Sequence, residues 1–206
     1  MENNDQDAKA VKIILLGDSA VGKTCIINRY LNNEFISEAT STLGSISNKK
    51  EVIKNERKYS MNIWDTTGQE KYRSITNLFI NGSNIVILVY SIDSKSSFES
   101  LDFWYNSVKE KLERQNFLLS VVGNKGDLTE NEQVSEEEAK KFAAEINAKF
   151  YLVSAKEDPN GIHNLFDSLM DEFIDNSKLY TNDTDSINIS YESKNKKKSN
   201  CLCNSS

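Results

Sequence analysis

Residues Gly17-Asp18-Ser19-Ala20-Val21-Gly22-Lys23-Thr24 set two glycines around four residues, then add a lysine and a hydroxyl. Glycines at both ends let the backbone turn tightly and aim N–H groups at one anion. Lys23 can then reach the β- and γ-phosphates of a nucleoside triphosphate, and the Thr24 hydroxyl can ligate Mg²⁺. An apolar run precedes the loop and a helical pattern follows it, so a helix N-terminus adds its dipole to the site. Cys25, next in the chain, is counted with this nucleotide-binding stretch, its thiol read as packing in the helix. The pattern alone does not choose between ATP and GTP.

Four further elements narrow the choice. In Trp64-Asp65-Thr66-Thr67-Gly68-Gln69-Glu70, Asp65 follows an apolar run and can hold the metal's water shell. Gly68 can donate its backbone N–H to a γ-phosphate oxygen, and Gln69 can orient an attacking water. Thr42, in Thr42-Leu43-Gly44, can bring its hydroxyl to Mg²⁺ and its N–H to the γ-phosphate, and would lose both contacts on hydrolysis. The expected metal set is therefore Thr24, Thr42 and Asp65, and the catalytic set Gln69, Lys23, Thr42 and Gly68. In Asn124-Lys125-Gly126-Asp127, the Asp127 carboxylate can accept two hydrogen bonds that guanine offers and adenine does not. Asn124 can brace its loop and contact the base, and the Lys125 stem can lie across the ring. Backbone N–H groups of Ser154-Ala155-Lys156 can reach guanine O6. Taken alone, each of these four can also be read as an ordinary polar turn or loop. Their order and spacing together point to GTP with Mg²⁺.

Those elements need strands and helices to hold them. Apolar runs at 11–17, 85–90, 118–122 and 150–153 read as buried strands, and 46–54 and 58–64 as a pair turning at Asn55-Glu56. Helical patterns cover about 22–33, 71–79, 98–112, 135–146 and 162–173. In the third of these, Phe98, Leu101, Tyr105, Val108 and Leu112 share a face. Ser135 with Glu138 has capping-box spacing. Residues 35–44, and an irregular stretch from Asp65, read as loops. Strands alternating with helices predict an α/β fold of the P-loop NTPase type. Its sheet is mostly parallel and six-stranded, with one antiparallel edge strand and helices on both faces. Ligands bind beyond the carboxyl ends of such strands.

The chain has 206 residues, 38% apolar and 27% charged, with a formal net charge of -6. That suffices for one buried domain plus a tail, and the negative charge argues against nucleic acid as a partner. The expected organisation is a disordered lead over 1–9, a nucleotide-binding domain over 10–175, likewise expected to be monomeric, and a flexible tail over 176–206. The tail is rich in Asn, Ser, Lys and Asp, and buries too little to offset the entropy of ordering. No apolar run approaches the ~20 residues that span a bilayer, and the polar start MENNDQDAKA is not read as a signal peptide, so the expected compartment is the cytosol. His163, the single histidine, sits beside Ile162 in the last helical pattern and reads as a surface or packing residue.

These motifs resemble the Ras superfamily, and within it the Rab family of vesicle-traffic GTPases, over about residues 10–175. WDTTGQEKYRSIT at 64–76 is close to the second switch of Rab proteins, and SMNIW at 60–64 to the strand before it. The resemblance implies a GTP/GDP switch that regulates membrane traffic by recruiting effector proteins when GTP is bound. It implies that Phe35 meets the guanine edge-on, and that Trp64 and Tyr72 lie on the surface effectors read. It also implies slow intrinsic turnover, on the order of 10⁻⁴ s⁻¹, hence a GTPase-activating protein and an exchange factor. Neither Arg29 nor Arg73 stands as an obvious catalytic arginine in cis.

The tail fits the same pattern. Lys194, Lys196, Lys197 and Lys198 precede Cys201 and Cys203, the expected sites of prenyl (geranylgeranyl) groups. A lysine cluster favours an anionic membrane surface, and two lipid chains hold where one is marginal. This implies a tail-solubilising carrier and reversible attachment to the cytosolic face of an endomembrane. A single lipid on Cys203 through a loose terminal box is the alternative.

The sequence also departs from the family. Leu43-Gly44-Ser45-Ile46-Ser47 lacks the usual aromatic after the first switch, and Leu78-Phe79-Ile80-Asn81-Gly82 replaces the usual YYRGA, so effector specificity is expected to be unusual. Thr67 stands where alanine is the norm and is expected to slow hydrolysis. A GTP-binding module with impaired hydrolysis and a Ras-like signalling GTPase remain the competing readings.

Overall fold

The computed structural model describes residues 8–36, 45–67, 78–113 and 115–176. The expectations for Thr42, Gly68, Gln69, Tyr72, Arg73, the first seven residues and the tail with Cys201 and Cys203 lie outside these.

Strands β1 (Lys9–Leu16), β2 (Ser45–Lys54), β3 (Arg57–Thr66), β4 (Ile85–Ser91), β5 (Leu118–Asn124) and β6 (Lys149–Leu152) form one sheet, ordered β2-β3-β1-β4-β5-β6. All neighbours are parallel except β2 and β3, so the expected antiparallel edge is observed. Helix α1 (Lys23–Asn32) follows β1, and α2 (Lys95–Glu99) and α3 (Leu101–Lys111) follow β4. Helix α4 (Glu136–Glu145) follows β5, and α5 (Pro159–Asp175) follows β6.

Alternation along β1 explains why both faces carry helices. Val11, Ile13 and Leu15 join one core cluster with Ile26 and Ile27 of α1 and Leu165, Phe166 and Leu169 of α5. Ile14 and Leu16 join a second with Leu101, Trp104 and Val108 of α3 and Ala139 and Ala143 of α4. Strand neighbours point to opposite faces, so one strand seeds two cores. The β2–β3 turn uses Asn55 (φ 49°) and Glu56 (φ 62°), and paired left-handed residues match the twist of a tight hairpin.

Several boundaries differ from the sequence reading. Strand β3 continues through Asp65 to Thr66, because Ser45 pairs with Thr66 in the β2–β3 ladder and Thr66 Oγ1 donates to Leu15 O at 2.6 Å. The single helix expected over 98–112 is two helices. The first starts earlier, at Lys95, where the Ser94 side chain accepts from Ser97 N, and Ser100 divides it from the second. Tyr105 packs partly buried against the core as expected, and Trp104, outside that expected face, is fully buried there. Helix α5 also starts earlier, with Pro159 in its first turn and Asp158 accepting from Gly161 N at 2.8 Å. The Ser135 cap is as expected, its hydroxyl accepting from Glu138 N. Of the helix expected over 71–79, residues 78 and 79 are described and are helical, as is 80.

Candidate functional site

The loop between β1 and α1 closes around its own lysine. Gly17 has φ 149°, and a Cβ there would lie 2.1 Å from Val89 O, so only glycine lets β1 end this close to β4. Gly22 has φ 96°, and a Cβ there would lie 2.3 Å from Asn124 Nδ2. Between them Ala20 turns through the left-handed region at φ 64°. Lys23 is buried, and its Nζ donates to Gly17 O and Asp18 O, both at 2.8 Å. Burial lowers the Lys23 pKa to about 8, against the opposing fields of Asp65 and Asp18.

Thr24 and Asp65 meet across the same edge. Thr24 Oγ1 donates to Asp65 Oδ2 at 2.7 Å, and Asp65 is 3% exposed. Two hard oxygen groups side by side at a phosphate-shaped loop suit Mg²⁺, which takes one or two protein oxygens with phosphate and water. The donor set therefore fits that ion. Ser45 Oγ donates to Asp65 O at 2.9 Å, which ties β2 to the same corner. Thr67, the departure from the family norm, is 2% exposed.

The two motifs expected to read the base lie together at the ends of β5 and β6. Asn124 is buried; its Nδ2 donates to Val21 O at 2.8 Å and its Oδ1 accepts from Ala155 N at 3.1 Å. One side chain thus joins the 17–24 loop, the 124–127 turn and the 154–156 turn. Ser154 Oγ donates to Asp127 Oδ1 at 2.5 Å and accepts from Glu157 N at 3.0 Å. The Asp127 carboxylate is thereby aimed by the neighbouring turn. Lys125 adopts φ 62°, and its Nζ lies 3.5 Å from Asp93, which also accepts from Ser91 Oγ. Lys156 Nζ lies 4.0 Å from Asp127 Oδ2.

Cys25 packs against the first core cluster as expected, and its thiol donates to Ile36 O at 3.6 Å. That contact holds the segment carrying Phe35, which is 37% exposed. His163 packs its ring 5.4 Å from that of Tyr30, on the α1–α5 side. Of the sequence-derived residues, Gly17 to Cys25, Asp65, Asn124, Lys125, Asp127 and Ser154 to Lys156 are gathered along the edge formed by the strands' carboxyl ends.

Sequence reasoning missed the residues that brace this edge from behind. Arg29, weighed above only as a catalytic arginine, is 9% exposed. Its Nε donates to Ala155 O at 2.8 Å, Nη2 to Lys156 O at 3.0 Å and Nη1 to Asn33 O at 2.7 Å. Trp104 Nε1 donates to Asp18 Oδ1 at 3.1 Å. Asp93 holds Lys125. An arginine at the seventh position of a helix and a tryptophan in an amphipathic helix carry no local sign of these partners.

Residues 12–175 match the sequence model of the Ras family. The GTP-binding protein ypt3 of Schizosaccharomyces pombe is 37% identical over 78% of this chain and 74% of its own length. The Ras-related protein RabC of Dictyostelium discoideum is 36% identical over 83% of this chain and 89% of its own. The Ras-related protein RABG3b of Arabidopsis thaliana is 38% identical over 73% and 77%.

Proposed function

This chain belongs to the Ras family as a Rab-like small GTPase of membrane traffic, and from that premise we propose how its residues divide the work of a GTP/GDP switch. The protein binds GTP and GDP with Mg²⁺ and hydrolyses GTP, and regulators and effectors act on it. The observation that carries the residue assignment is Asn124, bonded at once to Val21 of the phosphate loop and Ala155 of the base loop. That bridge supports one ligand spanning both loops.

In this reading Gly17 to Thr24 wrap the phosphates with backbone N–H groups, and Lys23 turns from its two carbonyls toward the β- and γ-phosphates. Asp127, aimed by Ser154, accepts from guanine; a base that cannot donate leaves that carboxylate unpaired. Thr24, Asp65 and Thr42 would hold Mg²⁺, which would supply positive charge to neutralise the phosphates. Gln69 orients the attacking water, and Gly68 holds the γ-phosphate until it leaves. Release of Thr42 and Gly68 ends effector recruitment.

Thr67 tempers the rate in this reading. A β-branched, buried residue next to Gly68 in sequence either restricts that glycine or offers a hydroxyl that competes for the water Gln69 orients. Single-turnover GTP hydrolysis with Mg²⁺ tests this in wild type, Thr67→Ala and Gln69→Leu. Wild type should hydrolyse slowly, Thr67→Ala faster, and Gln69→Leu almost not at all. Equal rates in wild type and Thr67→Ala would remove Thr67 from the account, and an unaffected Gln69→Leu would remove Gln69.

The G domain in this reading spans 10–175, and the tail from 176 carries prenyl groups on Cys201 and Cys203. With the lysines before them, these tether the protein to the cytosolic face of an endomembrane, and a carrier protein solubilises the tail between membranes. Mass spectrometry of the protein from its own cell should find both cysteines modified; one modified cysteine would favour the single-lipid alternative.

A further inference from the structure

Asp18 is held from outside its own loop. Trp104, on α3, has no solvent exposure, and its ring packs among Ile14, Leu16, Leu101 and Val108 in the second core cluster. Its one polar atom, Nε1–H, leaves that cluster to donate to Asp18 Oδ1 at 3.1 Å. The backbone carbonyl of the same Asp18 accepts from Lys23 Nζ at 2.8 Å. A single residue of the phosphate loop is thus tied by its side chain to α3 and by its backbone to the phosphate-seeking lysine.

We propose that Trp104 is a positioning residue for nucleotide binding, which acts through its indole N–H on Asp18 and so sets the phosphate loop around Lys23. Indole is a donor with one direction and no acceptor capacity, and a ring locked by packing cannot follow a moving partner. The phosphate loop therefore inherits its outer turn from the position of α3. Asp18, held at that turn by its side chain, keeps its place in the loop when Lys23 leaves its carbonyl for the phosphates. Loss of the indole bond leaves the loop free to sample arrangements with fewer N–H groups aimed at the phosphates, and nucleotide leaves faster. This rests on the reading of residues 17–24 as the phosphate-binding loop.

The test is release of fluorescent GDP from Mg²⁺-loaded full-length protein, in a cycle of Trp104→Phe, Asp18→Ala and the double variant, with melting followed in parallel. Phenylalanine keeps an aromatic ring in the core and removes the N–H. A hydrogen bond to a charged group is worth enough that each single variant should release GDP about tenfold faster. The double variant should release no faster than the faster single, because both remove one bond. Rates that multiply in the double, or single variants within twofold of wild type, would overturn the proposal. A purely packing role for Trp104 lowers the melting temperature but leaves its effect intact in the Asp18→Ala background.

Should Trp104→Phe not melt cooperatively, Asp18→Asn against Asp18→Ala carries the test alone. Asparagine retains an acceptor for the indole, so Asp18→Asn should release GDP at least threefold more slowly than Asp18→Ala; equal rates would overturn the proposal. Lys23→Ala serves as the control for the underlying reading: if it retains GDP as wild type does, residues 17–24 are not the phosphate loop, and the failure lies there.

Discussion

Arg29→Lys should damage guanine-nucleotide binding although it keeps the charge. Arg29 sends three separate N–H groups to three carbonyls, on Ala155, Lys156 and Asn33, at 2.7 to 3.0 Å. A lysine ammonium is a point donor on a flexible stem and cannot reproduce a fork that spans two loops. From the same helix position it reaches one of those carbonyls well. Two charge-assisted bonds are then lost, each worth ~1.5–3 kcal/mol, so about 3 kcal/mol is a lower figure for the whole change. The burial cost of the cation is nearly the same in both proteins and cancels. If the loss falls on global stability, a domain of this size melts about 6–12 °C lower. If it falls on the 154–156 turn alone, the same energy is about 150-fold in affinity for GDP. Thermal melting of the Mg²⁺–GDP form and titration with fluorescent GDP measure the two shares. A variant within 2 °C and threefold of wild type would refute the claim that Arg29 fixes the base loop. Arg29→Ala should be worse than Arg29→Lys, because it also removes the aliphatic stem.

Three other outcomes follow from the site. Gly22→Ala would place a Cβ 2.3 Å from Asn124 Nδ2 at a backbone with φ 96°, so it should displace Asn124 from Val21 O and abolish measurable GDP binding; retained binding in a filter assay would contradict the bridge. Lys23 has a pKa lowered to about 8 in the nucleotide-free protein, chiefly by burial, and polyphosphate must raise it. The bound-state value thus exceeds the free one, so affinity is full below about pH 8 and falls as pH rises through that value, with proton uptake on binding. Calorimetry at pH 9 in buffers of different ionisation enthalpy reads this uptake, and none should remain in Lys23→Met. Asp158→Ala removes the side chain that caps α5 at Gly161 N and should cost about 1 kcal/mol in urea unfolding, with GDP affinity unchanged.

Much of the site was legible because phosphate and base recognition use runs of adjacent residues. Gly17 to Thr24, Asn124 to Asp127 and Ser154 to Lys156 are each a strand end and the turn after it, so their chemistry is written in consecutive letters. The sheet was legible for a similar reason: apolar runs of strand length alternate with helical patterns, and only an antiparallel pair can join 46–54 to 58–64 through three residues. Element ends were less so. The start of α2 depends on which of Ser94, Ser96 and Ser97 caps it, and β3 runs past Asp65 because β2 pairs with it, a fact about another strand.

The sequence by itself determined the ligand chemistry, the family and the order of strands and helices, since each is carried by residue types at short spacing. Only the tertiary structure decided how the motifs are held in register. Arg29 meets Ala155 across 126 positions, Asn124 meets Val21 across 103, and Trp104 meets Asp18 across 86. Such pairs leave no periodicity, because their geometry comes from the packing of α1 and α3 on opposite faces of one sheet. A buried arginine and a buried tryptophan look in sequence like any helix residue; which carbonyl or carboxylate each one finds is set by where the fold carries it.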